Sequence, residues 1–133
     1  MQGQSKKRRK KDTEQAEAQY VPYKIVQIME LAEDHGIIST WKLSGDFPTL
    51  IFEFPMTENV MIAVNSIESF IGSKDFGISY SFDTGDLFIS FREEGGEEKE
   101  FHIPHVDDMQ IIVENGWAKV IAKVSYIRKR TWD

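Results

Sequence analysis

Residues 107–124 read DDMQIIVENGWAKVIAKV, and two readings of this stretch lead to two different folds. Met109, Ile112, Val113, Trp117, Val120, Ile121, Val124 and, just beyond, Ile127 fall on one stripe at helical spacing. Asp107 and Asp108 stand where a helix N-terminus favours anions, and Arg128, Lys129 and Arg130 where its C-terminus favours cations. Against a helix, Asn115-Gly116 is a strong hairpin signal, and Trp117 to Tyr126 also alternates. A glycine inside a helix costs only about 1 kcal/mol relative to alanine. The stripe and the charges at both ends outweigh that, so a helix bent at Gly116 is expected, with the hairpin left open as the alternative.

Upstream, from Ile37 to Pro104, the apolar period is 2. Leu50, Phe52 and Phe54 share one face, as do Val60, Ile62 and Val64, then Ile78, Tyr80 and Phe82, then Leu87, Ile89 and Phe91, then Phe101 and Ile103. Ser44-Gly45-Asp46, Asp83-Thr84-Gly85-Asp86 and the acidic run around Gly95-Gly96 supply turn chemistry between them. These connections are too short for helical crossovers, so neighbouring strands should pair antiparallel. Between Asn65 and Ser73, Ser66 is placed to cap one short helix carrying Ile67, Phe70 and Ile71. Further upstream, Val21, Ile25, Ile28, Met29 and Ala32 recur at helical spacing, Pro22 suits a first turn, and His35-Gly36 supplies a stop.

The expected fold is therefore α+β: a two-layer sandwich in which an antiparallel meander of five to six strands carries the N- and C-terminal helices on one face. Its 133 residues make one domain, spanning 19–133. Residues 1–18 hold no large apolar side chain after Met1 and six consecutive cations, which reads as a disordered basic arm.

Charge is unevenly divided. The net value is −6, yet Lys6, Lys7, Arg8, Arg9, Lys10 and Lys11 are consecutive, and Arg128, Lys129 and Arg130 lie near the other end. The body between them is an acidic globule that repels nucleic acid and anionic membrane, so any polyanion contact falls to the ends. The arm has three readings: a solvated tail, a polyanion-binding segment, or a receptor-read localisation signal. Trp41 and Trp117 are expected in the core, which leaves Trp132 beside Arg128-Lys129-Arg130 as the one pairing able to stack a base.

The absence of cysteine rules out disulfides, thiolate metal sites and cysteine nucleophiles. No apolar run nears the roughly 20 residues of a membrane span, so a cytoplasmic domain without membrane contact is expected. There is no nucleophile elbow, and Gly95-Gly96 sits among glutamates that would repel phosphate. His102, His105, Asp107 and Asp108 are the one cluster of metal-capable groups. They read better as two solvent-facing histidines and a helix cap than as a site. Neither an enzyme, a metal nor a cofactor is expected.

If the strands bury the faces named above, their outer positions include Ile51, Met61 and Phe88 among small and polar neighbours. Such residues are either scattered exposed hydrophobes or an interface for a partner or a second copy.

The order of these elements resembles the type III secretion chaperone-like fold, which includes secretion chaperones and related small bacterial sensory-regulator domains. The stretches that carry the likeness are Ile25 to Leu31 as first helix, Thr49 to Phe54 and Val60 to Val64 as strands, and Ser66 to Ile71 as a short helix. Phe76 to Phe91 would then be a hairpin and Met109 to Ile127 a closing helix. The resemblance implies a non-enzymatic acidic homodimer that holds a partner segment; the basic arm departs from that pattern. The expected function is thus a chaperone-like binding or adaptor domain for a protein partner, acting as a dimer. The alternative is an accessory nucleic-acid-binding protein that uses the arm and the Arg128–Trp132 end.

Overall fold

Asn115 and Gly116 both adopt positive φ, 55° and 78°, and join two antiparallel strands through the pair Glu114↔Trp117. That is the backbone a two-residue hairpin turn demands, and asparagine followed by glycine supplies it at least cost. The segment expected as a closing helix is therefore a hairpin. The buried residues of its second strand, Ala118, Val120, Ala122 and Val124, alternate strictly. Three residues of the supposed helical stripe, Ile112, Val113 and Trp117, are instead 40, 49 and 46% exposed. β-branched Ile111, Ile112, Val113, Val120, Ile121 and Val124 favour the strand as well.

The structure, a computed structural model, describes residues 23–44 and 47–124. Among these, helix α1 (Tyr23–Asp34) precedes nine strands: β1 (Ile38–Ser44), β2 (Phe47–Pro55), β3 (Met61–Val64), β4 (Glu68–Gly72), β5 (Phe76–Ser81), β6 (Asp86–Arg92), β7 (Glu98–Ile103), β8 (Val106–Glu114) and β9 (Trp117–Val124). They form two antiparallel sheets, one in the order β1-β2-β9-β8 and one in the order β3-β4-β5-β6-β7. The α+β expectation of one meander roofed by two helices is overturned. The meander's inner face is covered by a second sheet, built when the first two strands pair with the last two through β2 and β9. This is mostly-β architecture, with sheet packed on sheet.

The segment expected as a short middle helix is also a strand. Asn65 Oδ1 accepts from the amides of Ile67 (2.7 Å) and Glu68 (2.8 Å), and Asn65 N–H donates to Glu68 O. The side chain that captures the local amides belongs to Asn65, not Ser66, and it closes a turn that sends β4 back along β3. Asp107 and Asp108 likewise start no helix; they sit in β8 at a register shift between Val106 and Asp108.

Helix α1 stops where the sequence indicates. Gly36 takes φ 76°, Gly36 N–H donates to Glu33 O, and Ile37 N–H donates to Ala32 O, the paired bonds of a glycine-terminated helix. Its apolar stripe, Ile25, Ile28 and Ala32, is fully buried. The helix touches both sheets. Ser39 Oγ of β1 donates to Met29 O, and Lys24 Nζ donates to His102 O of β7.

One core joins these elements: Leu50, Phe52 and Phe54 from β2 and the alternating residues of β9 face Ile71, Ile78, Tyr80, Leu87, Ile89, Phe91 and Ile103. Phe54 meets Phe76 edge-on at 4.9 Å, and Tyr80 O–H donates to Val106 O at 2.7 Å across the buried layer. The inward phase expected for β2, β5 and β6 holds, with exceptions at the margins: Ile62 and Phe82 are exposed. Trp41 packs against the core as expected, but Trp117 stands in solvent.

Candidate functional site

The outer face of the five-stranded sheet is set by register. Ala63, Phe70, Ser79, Phe88 and His102 lie side by side on successive strands, one row across the sheet. The adjacent row is Met61, Gly72, Gly77, Ser90 and Glu100. Alternation along each strand places both rows on the side away from the core. Half of these positions are small, so the large side chains among them lie over their neighbours.

Phe70 shows the effect. A Cβ added at Gly72 would lie 2.9 Å from Phe70 Cζ, and one at Gly77 3.3 Å from Phe70 Cε1. The ring therefore rests on bare backbone that only glycine leaves free. Beside it, Asn59, Met61, Phe70, Gly72, Ser73 and Lys74 line a shallow hollow of about 360 Å³.

At the other end of the row, the rings of Phe88 and His102 stack at 4.7 Å with planes 14° apart. His102 Nε2 lies 2.7 Å from Asp86 Oδ1. That bond to His102, with a second from Thr84, holds the Asp86 carboxyl below its ordinary pKa. The imidazole is thereby held flat against Phe88, and the two rings form one exposed aromatic plate with an acidic rim.

Of the three expected partner-binding residues, Met61 and Phe88 share this face. Ile51 does not. It lies on the outer side of the four-stranded sheet, in a row with Thr40, Ile121 and Gln110. The single patch expected from the sequence is split between opposite sides of the sandwich, because β2 pairs with β9 and not with the meander. The Ile51 side has its own small hollow of about 240 Å³, lined by Glu53, Ile112, Glu114, Trp117, Ala118 and Lys119.

Read from the sequence, Phe70 belongs to a short helix and Asp86 to a turn; their place on this face, and that of Gly72 and Gly77, comes from the strand register. For Phe70 a signal was present, since Glu68, Phe70 and Gly72 alternate with Ser69 and Ile71. The expected polyanion-binding residues, Lys6, Lys7, Arg8, Arg9, Lys10, Lys11, Arg128, Lys129, Arg130 and Trp132, lie outside the described residues.

Among the described residues, no group of three or more histidine, aspartate or glutamate side chains is placed to hold a metal ion, and His102 turns to Asp86. No described helix is long and apolar enough to cross a membrane. No family model, curated protein or solved structure matches the chain.

Proposed function

We propose that the chain is a protein-recognition domain without catalytic activity, and that its recognition surface is the outer face of the five-stranded sheet. The observation that carries this reading is the Phe88–His102 plate in one register row with Phe70, with the small residues Ala63, Gly72, Gly77, Ser79 and Ser90 between the large ones. Such a face is flat, and its few large apolar groups are concentrated. Burying Met61, Phe70 and Phe88 would contribute roughly 1.5–3 kcal/mol for each side chain fully covered. Association costs about 4–15 kcal/mol, so these three side chains alone support only weak, reversible binding and further contacts must add to them.

Charge indicates the partner's chemistry. The described residues hold seventeen acidic and seven basic side chains, and Asp86, Glu100 and Glu68 border the face. A fitting partner presents apolar side chains flanked by lysine or arginine. The same acidity weighs against the nucleic-acid reading, which must rest on Lys6–Lys11 and Arg128–Trp132 alone.

The test compares Phe88→Glu with Ile112→Glu, an exposed substitution on the opposite sheet. Partners that co-purify with the wild-type protein are identified, purified and titrated by calorimetry. A partner whose affinity falls at least tenfold with Phe88→Glu and is unchanged with Ile112→Glu supports the reading. Equal binding by wild type and Phe88→Glu refutes it.

A further inference from the structure

We infer that β3 is a dimerisation edge, across which a second copy of this chain adds its own β3 antiparallel to make one continuous ten-stranded sheet. Of the recognition residues only Met61 lies on β3, whereas Phe88 lies three strands away, so a Phe88 substitution separates the two surfaces.

The four edge strands differ in how they are guarded. β7 carries Glu98, Lys99 and Glu100, and Lys24 already donates to its His102 carbonyl. β8 carries Asp107 and Asp108 and a register shift that bends it. β1 carries Lys42 and packs beside helix α1. Charges, bulges and covering elements are how sheets prevent edge-to-edge pairing. β3 has none of them. All four of its residues are exposed, and Val60 to Val64 reads VMIAV without charge or proline.

Its inner side is bare as well. Ile62 and Val64 lie in rows with Ile71 and Ser69 on the core-facing side, yet they are 40 and 61% exposed, beside Met61 at 65% and Ile67 at 56%. The five-stranded sheet thus overhangs its cover by one strand, and both faces of that strand are apolar and open. With the paired backbone, two such edges bury on the order of 1,000 Å², where specific interfaces begin.

Hydrogen-bond phase selects the register. Asn65 N–H donates to Glu68 O, so by alternation Ala63 and Met61 bond to β4, while the amides and carbonyls of Ile62 and Val64 point outward. A twofold axis at Ile62 sets Ile62 opposite Ile62 of the second copy, Val60 opposite Val64, and Met61 opposite Ala63. Apolar residues then meet apolar residues throughout, and Val60 to Val64 holds no charged side chain, so no like charges face each other along the paired segment. A run of this kind is self-complementary, as a twofold interface requires.

Sedimentation of the full chain should show a reversible monomer–dimer equilibrium reaching mostly dimer at high micromolar concentration. Ile62→Lys and Ile62→Glu, each checked for folding by circular dichroism, should be monomeric alone and associate when mixed, since only unlike charges then face across the axis. Val64→Lys, at a more exposed position, should also remove the dimer, and Phe88→Glu should leave it intact. A wild-type chain that stays monomeric throughout, or a dimer that survives Val64→Lys and both Ile62 variants, overturns the proposal. Loss of the dimer with Phe88→Glu alone would move the interface to the outer face and overturn it equally.

Discussion

His35, at the end of helix α1, places Nε2 2.8 Å from the carbonyl oxygen of Arg92, at the end of β6, while its Nδ1 lies 2.9 Å from Leu31 O. Carbonyls only accept, so both contacts are hydrogen bonds at once only when both ring nitrogens carry protons. Burial by itself lowers the His35 pKa. The Arg92 and Leu31 carbonyls, with the Asp75 and Asp34 carboxylates, more than offset this and leave it raised. A tilted contact with the Phe91 ring, centroids 5.1 Å apart and planes at 43°, packs against it.

A pH-dependent stability follows. A group whose pKa is raised by folding stabilises fully below its unfolded value, near 6.5, and loses that contribution as pH climbs through the folded value. His35→Gln should cost about 1–2 kcal/mol at pH 5–6, as expected for hydrogen bonds to a charged donor. The difference should shrink steadily toward pH 9. Urea unfolding of both proteins across that range checks it, and a difference that grows with pH would show that the neutral imidazole makes the contact.

The Tyr80 hydroxyl links the two sheets through Val106 O, inside the core. Burial raises the Tyr80 pKa, and the Asp108 and Asp107 charges add to the rise. Tyr80→Phe keeps the ring and its edge contact with Phe82 but removes the donor from a buried carbonyl. The expected loss is about 1–3 kcal/mol in urea unfolding, with an unchanged denaturant slope. The tyrosinate absorbance of Tyr80 should appear above pH 10 and coincide with unfolding.

Gly116 distinguishes the two readings of residues 107–124 by sign. In a helix, Gly116→Ala would stabilise by about 1 kcal/mol. In the hairpin, φ 78° is a conformation that costs an L-residue about 1–2 kcal/mol, with no atom within 4 Å for the new methyl group to meet. Destabilisation of that size is expected.

The helical stripe misled because it counted Trp117 as core and passed over Ala118 and Ala122, which are fully buried. Alanine fits where two sheets approach closely, and neither hydropathy nor length distinguishes that from a helix surface. Strands β2, β5 and β6 were legible down to which side chains turn inward, since alternation is a local property. Which sheet β2 joins was not, for its partner β9 lies more than sixty residues away. Ile51 was misplaced for the same reason, whereas Met61 and Phe88, inside one continuous meander, were correctly placed on one face. The Asp86–His102 contact depends on the register of β6 against β7, which no spacing in the chain reveals.

Gly72 and Gly77 pair across β4 and β5, yet substitutions at the two should differ in severity. A Cβ at Gly72 meets Phe76 O at 2.5 Å and Gly77 Cα at 2.8 Å, both backbone atoms that cannot turn aside. At Gly77 it meets Ser90 Oγ at 3.2 Å and the Phe70 ring at 3.3 Å, side chains able to shift by a few tenths of an ångström. Gly72→Ala should therefore force β4 and β5 apart and cost about 2–4 kcal/mol, in the range of overpacked sites. Gly77→Ala should cost about 1 kcal/mol or less, because its methyl also covers bare backbone in a strand. Thermal or urea unfolding of the two single variants checks the ranking. Gly77→Ala should in addition lift Phe70 off its seat, so binding at the outer face weakens out of proportion to stability, and a calorimetric titration of the purified partner reads that separately.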